Sequence, residues 1–266
     1  MIEFEPMIDG AMKAEILGKL TEIEATENVR ILFAIESGSR AWGFPSPDSD
    51  YDVRFVYARQ PDWYLTLSPG RDVIELPIEG DLDINGWDIK KALSLLMKPN
   101  PVLLEWLSSP IRYRWSEDDT KRLIAFAQTV THGPACLHHY LNLGRRQWDT
   151  YLQGKAEVNL KKYFYVVRPA LAIRWLRLQP DIVPPMNFQE LLAGTQPSDA
   201  LIADLEQLLI AKSQAKELGT GERMPRVDEL IMSEFAWADA AKISSKPQRL
   251  RDDADTLFRE IVKADR

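Results

Sequence analysis

The chain has 266 residues, a net charge of −7, and a composition of 45% hydrophobic and 27% charged residues. These values are typical of a globular protein and argue against a disordered, collagen-like or disulfide-rich chain. The first nine residues are acidic and lack the layout of a signal peptide, no apolar stretch is long enough to span a membrane, and Cys136 is the single cysteine. We therefore expect a cytoplasmic protein that does not associate with membranes.

Charge is unevenly distributed along the chain. Residues 1–115 carry 12 Lys and Arg against 19 Asp and Glu, whereas residues 116–266 carry 21 of each. Within the second part, the segment from Arg145 to Arg177 holds eight bases and two acids. The negative total argues against a protein that coats nucleic acid non-specifically. The uneven distribution has two explanations: solvated surface, or acids that hold a metal ion and bases that hold an anion.

The hydrophobic pattern changes near residue 115. Before it, the spacing predicts a helix over 11–27, strands over 30–36, 50–57, 73–78 and 81–85, and helices over 88–98 and 103–107. After it, the spacing predicts helices near 117–131, 135–153, 157–178, 200–218, 226–241 and 247–264. The pattern therefore predicts a mixed helix-and-strand module over 1–115, followed by an all-helical module over 116–266.

The most informative motif is Gly38-Ser39, followed after ten residues by Asp50-Tyr51-Asp52. Glycine lets the backbone approach a phosphate closely, and serine offers a hydroxyl and an N–H to phosphate oxygens. Asp50 and Asp52 are two residues apart on a predicted strand, so both side chains point to one side. Paired carboxylates favour Mg²⁺ or Mn²⁺, which binds together with substrate phosphates. The competing explanation is a surface loop whose acids pair with Arg40 or Arg54.

Ser37–Arg54 resembles the signature of the DNA polymerase beta-like nucleotidyltransferase superfamily, which is a Gly-Ser, a gap of about ten residues, and two acids that flank an apolar residue. Further similarity, to a bacterial and phage family of predicted nucleotidyltransferases with RNA-repair-associated members, lies in Asp62–Leu65, Asp83–Lys91, Asn100–Glu105 and Lys161–Ala170. The resemblance implies an α+β fold, with a small mixed β-sheet nucleotidyltransferase domain over 1–115 and a helical domain over 116–266.

The resemblance also implies a third carboxylate on a neighbouring strand, which acts as general base or metal ligand. Asp83 occupies the matching position in the strand predicted over 81–85. Asp81 lies on the same strand face, and Asp88 begins the next helix. An N-cap role explains Asp88 more simply, because an aspartate there accepts hydrogen bonds from free backbone N–H groups. We predict Asp83, with Asp81 and Asp88 as alternatives.

Several basic residues are candidates for binding phosphate. Arg40 directly follows the Gly-Ser pair, and Arg54 lies on the strand face of Asp52. Lys161 and Arg168 are seven residues apart and share a helix face, so they are predicted to contact the triphosphate or an RNA backbone. The alternative for Arg40 and Arg54 is ion pairing with the carboxylates. The alternative for Lys161 and Arg168 is a solvated or salt-bridged helix face.

Together these features predict an enzyme that transfers a nucleoside monophosphate from a nucleoside triphosphate to an acceptor hydroxyl, RNA being one acceptor class, with release of pyrophosphate. Gly38 and Ser39 are predicted to hold the triphosphate, and Asp50, Asp52 and Asp83 to bind Mg²⁺ or Mn²⁺. The alternative is a non-catalytic nucleotide- or RNA-binding regulatory module of the same fold. The presence of all three carboxylates favours the enzyme.

Overall fold

The structure is a computed structural model that describes residues 3–6, 8–68, 70–98, 100–214, 219–241 and 250–264. Within these residues the helices are α1 (Gly10–Glu27), α2 (Gly38–Ala41), α3 (Pro61–Tyr64), α4 (Ile89–Met97), α5 (Pro101–Leu107), α6 (Glu117–Gln128), α7 (Gly133–Tyr151), α8 (Leu160–Leu178), α9 (Phe188–Gly194), α10 (Asp199–Gln214), α11 (Pro225–Ala240) and α12 (Arg251–Lys263). The strands are β1 (Val29–Glu36), β2 (Tyr51–Arg59), β3 (Val73–Glu75), β4 (Leu82–Asp88), β5 (Arg112–Trp115), β6 (Glu157–Asn159) and β7 (Thr220–Glu222).

The chain forms two compact units, and each is discontinuous in sequence. The sheet unit comprises the described residues of Pro6–Gly38, Asp50–Val130 and Lys246–Arg266. The helical unit comprises those of Met1–Glu5, Ser39–Ser49 and Thr131–Ser245. This division differs from the predicted one at residue 115, because α6 packs on β1 and α5, and α12 packs on α4 and α6. The segment Ser39–Ser49, which connects the two halves of the predicted motif, belongs to the helical unit.

A five-stranded mixed sheet forms the centre of the sheet unit. Its strand order is β3-β4-β2-β1-β5, and the β2–β4 pair is parallel while the other pairs are antiparallel. Every residue of β1 except Arg30 is buried, as expected for a short apolar strand inside a sheet. The predicted α+β class with a small mixed sheet is confirmed. The parallel pairing matters for the site, because it aligns the first residues of β2 with the first residues of β4.

Local pattern predicts most element positions but not all of their ends. Elements α1, β1, β2 and α4 agree with the prediction to within two residues at each end. The predicted helix over 157–178 begins only at Leu160, because residues 157–159 pair with β7 as a strand. The predicted strand over 73–78 ends at Glu75, and β5 was not predicted. The predicted helical residues 215–218 and 247–249 lie outside the described residues.

Helix α8 is the central element of the helical unit, where it packs against α7, α9 and α11. Eleven of its residues are buried, and one of them, Phe164, belongs to an aromatic cluster. In that cluster Phe44 stacks on Phe164 with ring centroids 4.8 Å apart, and Phe188 meets Phe44 edge to face. The motif segment is therefore anchored by aromatic packing within this unit. None of the described helices combines the length and apolarity that crossing a membrane requires.

The side chain of Lys212, on α10, is buried in the helical unit, and only 1% of the surface of this residue is exposed. Its ammonium group donates a hydrogen bond to the carbonyl oxygen of Phe44 and lies 4.4 Å from the centre of the Phe44 ring. Burial lowers the pKa of Lys212 from 10.5 to about 7, with a smaller contribution from the charge of Lys161. The charge of Asp48 opposes this shift, and that of Lys162 adds to it.

We predict that Lys212 makes stability rise with pH above neutrality. Between the native pKa near 7 and the unfolded pKa of 10.5, the unfolded chain binds a proton that the native chain does not. The free energy of unfolding of the wild type should therefore rise relative to that of Lys212→Met, by up to about 1.4 kcal/mol per pH unit. Urea unfolding from pH 6 to 9 measures this difference. The exposed Lys90→Met is the control, and a pH-independent difference for both variants would contradict the prediction.

Candidate active site

Gly38 lies directly against the carboxylate of Asp52 in the sheet unit. The backbone N–H of Ser37 donates to the carbonyl oxygen of Asp52 at 2.8 Å, which brings the end of β1 beside the start of β2. Gly38 has φ +58°, and a Cβ atom there would lie 2.7 Å from Asp52 Cγ and closer still to Oδ2. Glycine is therefore required by both the backbone and the carboxylate. The sequence alone explains Gly38 only as a position where the backbone approaches a phosphate.

Glu36 holds the backbone of Asp52 in place, and sequence reasoning missed it. The side chain is fully buried at the end of β1. Its Oε1 accepts the N–H of Asp52 at 2.9 Å, and its Oε2 accepts the hydroxyl of Tyr113 at 2.6 Å. The sequence signal for Glu36 is an acid at the last position of an apolar strand. Such a carboxylate is buried and therefore needs hydrogen-bond partners. Its partners are close only in the folded sheet.

Asp52 and Asp83 face each other across the parallel pair of strands. The two residues are register partners on β2 and β4. Nη2 of Arg54 lies 3.0 Å from Oδ1 of Asp52 and 2.7 Å from Oδ2 of Asp83. The structure thus brings together two of the three predicted carboxylates. Arg54 pairs with both of them, which was one of the two roles left open for it.

The pKa of Asp52 is raised above its ordinary value, chiefly by burial. The positive charge of Arg54 opposes this shift, and the negative charges of Asp83 and Asp50 add to it. A half-buried carboxylate beside two like charges is a strained electrostatic arrangement that a cation relieves. Such perturbed carboxylates are typical of functional sites.

The remaining acids differ in their surroundings. Asp50 is exposed immediately before β2, and Asp81 is exposed immediately before β4. Asp88 is fully buried and accepts hydrogen bonds from the N–H of Lys90 and the hydroxyl of Tyr64, each at 2.8 Å. The structure confirms Asp88 as the N-cap of α4, as its chain position predicted. Asp83, rather than Asp81, is the register partner of Asp52.

Ser39 and Arg40 hold the motif segment in the helical unit together. The hydroxyl of Ser39 donates to Oγ of Ser49 at 2.9 Å, and Nη2 of Arg40 donates to the carbonyl oxygen of Ser49 at 2.7 Å. Nε2 of Gln189 donates to the carbonyl oxygen of Gly43 at 2.6 Å. Ser39 and Arg40, both predicted to bind phosphate, therefore also connect the two ends of this segment through hydrogen bonds to Ser49. Their contact with phosphate stays a prediction.

Lys161 and Arg168 have the spacing of residues on one face of α8, but their surroundings differ. Lys161 lies in the first turn of the helix, and its side chain is partly exposed. Arg168 is 4% exposed, donates through Nε and Nη2 to the carbonyl oxygen of Met186 at 3.2 and 3.1 Å, and lies over the ring of Trp42. These contacts give Arg168 a packing role and disfavour its predicted role as a phosphate ligand, although that role stays untested.

Other bases of the Arg145–Arg177 segment form ion pairs within the helical unit. Arg145 pairs with Asp239, and both Arg174 and Arg177 pair with the buried Glu234. The Nη2 atom of Arg177 lies 2.7 Å from Oε1 of Glu234. Part of the local excess of positive charge is thus balanced by acids that are distant in sequence. These three arginines are thus engaged in ion pairs, which neither explanation of the charge distribution included.

The carboxylate pair has the chemistry of a divalent-cation site. Among the residues that the structure describes, no three His, Cys, Asp or Glu side chains form a group that would hold a metal ion. The pair of Asp52 and Asp83, however, already accepts one positively charged nitrogen between its oxygens. Both donors are carboxylate oxygens, which are the ligands that Mg²⁺ prefers. The pair therefore fits such an ion as a two-carboxylate site, and Asp50 as a further ligand stays a prediction.

We predict that Gly38→Ala is more destabilising than the same change at Gly80. Both glycines have positive φ, of +58° and +59°, but a Cβ atom at Gly80 would meet nothing within 4 Å. Gly80→Ala should lower the free energy of unfolding by about 1–2 kcal/mol because of the left-handed backbone. Gly38→Ala should cost about 1–3 kcal/mol more, because Asp52 must move. Urea unfolding measures both losses, and equal losses would show that Asp52 does not restrict this position.

Comparison with known proteins identifies the family of the chain. The RlaP family, described as an RNA repair pathway DNA polymerase beta family, matches residues 12–260. The chain is also 44% identical over 224 residues to the uncharacterized protein YcgL of Bacillus subtilis (strain 168), and this similarity covers 84% of the chain and 85% of that protein. The matched region includes the Gly38–Asp52 motif and Asp83. The chain belongs to the RNA repair pathway DNA polymerase beta family.

Proposed function

We propose that this protein is a metal-dependent nucleotidyltransferase, which transfers a nucleoside monophosphate from a nucleoside triphosphate to an acceptor hydroxyl. Family membership supports a polymerase beta-like nucleotidyltransferase. The observation that carries the proposal is the opposition of Asp52 and Asp83 across β2 and β4, with one cationic nitrogen between them. Two carboxylates that share a positive charge, beside a glycine with no side chain, suit a reaction in which phosphate charge must be neutralised.

In the proposed reaction, the acceptor oxygen forms a bond to the α-phosphorus and the bond to the β-phosphate oxygen breaks, so that pyrophosphate leaves. Asp52 and Asp83 would hold the divalent cation, with Asp50 as an additional acid immediately before β2. The bound cation supplies charge neutralisation for the phosphates. Asp83 accepts the proton of the acceptor hydroxyl, and Gly38, which has no side chain, lies beside the carboxylate of Asp52. No residue of the chain forms a covalent intermediate.

RNA is the acceptor class that we propose. The description of the family names the RNA repair pathway. The partly exposed Lys161 remains a candidate for contact with an anionic backbone. Such contacts with RNA phosphates depend on salt. RNA binding that weakens as ionic strength rises would support this part of the proposal.

A non-catalytic binding module is the second candidate. It is favoured by Arg54, whose guanidinium already compensates the charges of Asp52 and Asp83. A protein of this kind would bind a nucleoside triphosphate without releasing pyrophosphate. The two candidates are therefore separated by turnover and not by binding.

We predict that Asp83→Asn abolishes transfer while Asp81→Asn retains it. Asparagine keeps the size of the side chain but loses the negative charge that a cation and a proton acceptor need. Asp81 is the matched control because it is exposed, lies two residues earlier, and is not the register partner of Asp52. Each labelled triphosphate is incubated with RNA and Mg²⁺ or Mn²⁺, and label transfer and pyrophosphate are measured.

The outcomes of this assay separate the candidates. Transfer by the wild type and by Asp81→Asn, with less than about 1% remaining in Asp83→Asn, is the expected result, since loss of an essential general base typically costs at least a hundredfold. Triphosphate binding without pyrophosphate release in the wild type would favour the binding module. Loss of transfer in Asp81→Asn with retention in Asp83→Asn would overturn the assignment of the third carboxylate.

A further inference from the structure

The guanidinium of Arg54 uses both of its terminal nitrogens on the carboxylate pair and its surroundings. Nη1 donates to the carbonyl oxygens of Val53 and Asp83, each at 3.0 Å. Nη2 donates to Oδ1 of Asp52 at 3.0 Å and to Oδ2 of Asp83 at 2.7 Å. Arg54 is therefore held by the backbone of two strands and by two carboxylates at once. Its side chain is 18% exposed, less than the side chains of the two acids.

Nη2 holds one oxygen of each carboxylate, Oδ1 of Asp52 and Oδ2 of Asp83, and a divalent cation bound by both acids would draw on the same two negative charges. The arginine guanidinium is a permanently charged group in proteins. A divalent cation bound to Asp52 and Asp83 would meet this fixed positive charge at close range, and like charges at such distances repel strongly where water is partly excluded. The two cations therefore compete for one site.

We infer that Arg54 is a built-in competitor for the divalent cation, and that metal binding requires Nη2 to leave Asp52 and Asp83. This inference rests on the proposed function, since it takes the carboxylate pair as the cation site. In the absence of metal, Arg54 keeps the two acids paired and the sheet stable. The contacts of Nη1 with backbone carbonyls do not depend on the carboxylates, so the guanidinium stays beside the site after Nη2 is displaced. Arg54 thereby sets the metal concentration at which the site fills.

The opposite role would be preorganisation, in which Arg54 holds the carboxylates in the geometry that the metal needs. The two roles predict opposite effects of removing the charge. If Arg54 competes, its removal strengthens metal binding. If Arg54 preorganises the site, its removal weakens metal binding, because Asp52 and Asp83 then repel each other and separate.

The experiment is a calorimetric titration with Mn²⁺, without nucleotide, of the wild type and of Arg54→Met, Arg54→Lys and Arg71→Met. Methionine keeps the apolar stem and removes the charge, whereas lysine keeps the charge but lacks the fork that reaches both strands. Arg71→Met is the matched control, because Arg71 lies in the sheet unit, is 66% exposed and pairs with Glu75. It removes the same charge without touching Asp52 or Asp83.

We expect Arg54→Met to bind Mn²⁺ more tightly than the wild type, on the order of tenfold, as for other couplings between two bound groups. Arg54→Lys should fall between the two, and Arg71→Met should match the wild type. Unchanged or weaker binding by Arg54→Met would overturn the inference. Equal strengthening in Arg71→Met would also overturn it, because the effect would then reflect net charge alone.

Thermal unfolding supplies a second readout. Without metal, Arg54→Met should unfold at a lower temperature than the wild type, and Mn²⁺ should raise its midpoint by more than it raises that of the wild type. If Arg54→Met fails to fold, Arg54→Lys decides: tighter Mn²⁺ binding than the wild type supports competition, and equal or weaker binding overturns it. Mn²⁺ binding that survives in the Asp52→Asn/Asp83→Asn double variant would instead place the metal elsewhere and contradict the proposed function.

Discussion

Asp52 and Asp83 carry like charges on neighbouring parallel strands, and this repulsion requires a positive charge between them. In the structure Arg54 supplies that charge, and it does so from the same strand face as Asp52. The parallel register of β2 and β4 causes this repulsion, because it aligns the two acids instead of staggering them. We propose that the same two acids accept a divalent cation when one is present. Stability and the proposed chemistry therefore depend on the same three side chains.

The surroundings of Asp52 follow from this constraint. Gly38 leaves the space that the carboxylate fills, and Glu36 fixes the backbone N–H at the start of β2. Glu36 is itself buried and is satisfied by Tyr113 of β5, so an edge strand that contributes no predicted ligand still supports the site. The carboxylate pair is positioned by the rigid sheet and not by a loop. Such support is what holds reacting groups within the small tolerances that catalysis requires.

Short-range pattern predicted the parts of this arrangement that are local in sequence. Alternation along β2 placed Asp50 and Asp52 on one strand face, and the family resemblance pointed to Asp83. The sequence alone did not decide whether Arg54 contacts phosphate or the carboxylates, because the register of β2 with β4 joins residues that are distant in sequence. The same limit applies to Glu157–Asn159, which reads as helix until β7 pairs with it. For Arg168, helical spacing predicted the same face as Lys161, but packing around α8 buries this residue.

The most direct test of the account is anomalous diffraction at the manganese edge, from crystals of the protein grown with Mn²⁺ and a non-hydrolysable nucleoside triphosphate. We expect an anomalous peak within coordination distance of both Asp52 and Asp83. We also expect the triphosphate to lie beside Gly38, and Nη2 of Arg54 to be displaced from the carboxylates. A bound triphosphate with Arg54 still bridging the two acids, and no peak between them, would contradict the assignment of this pair as the cation site.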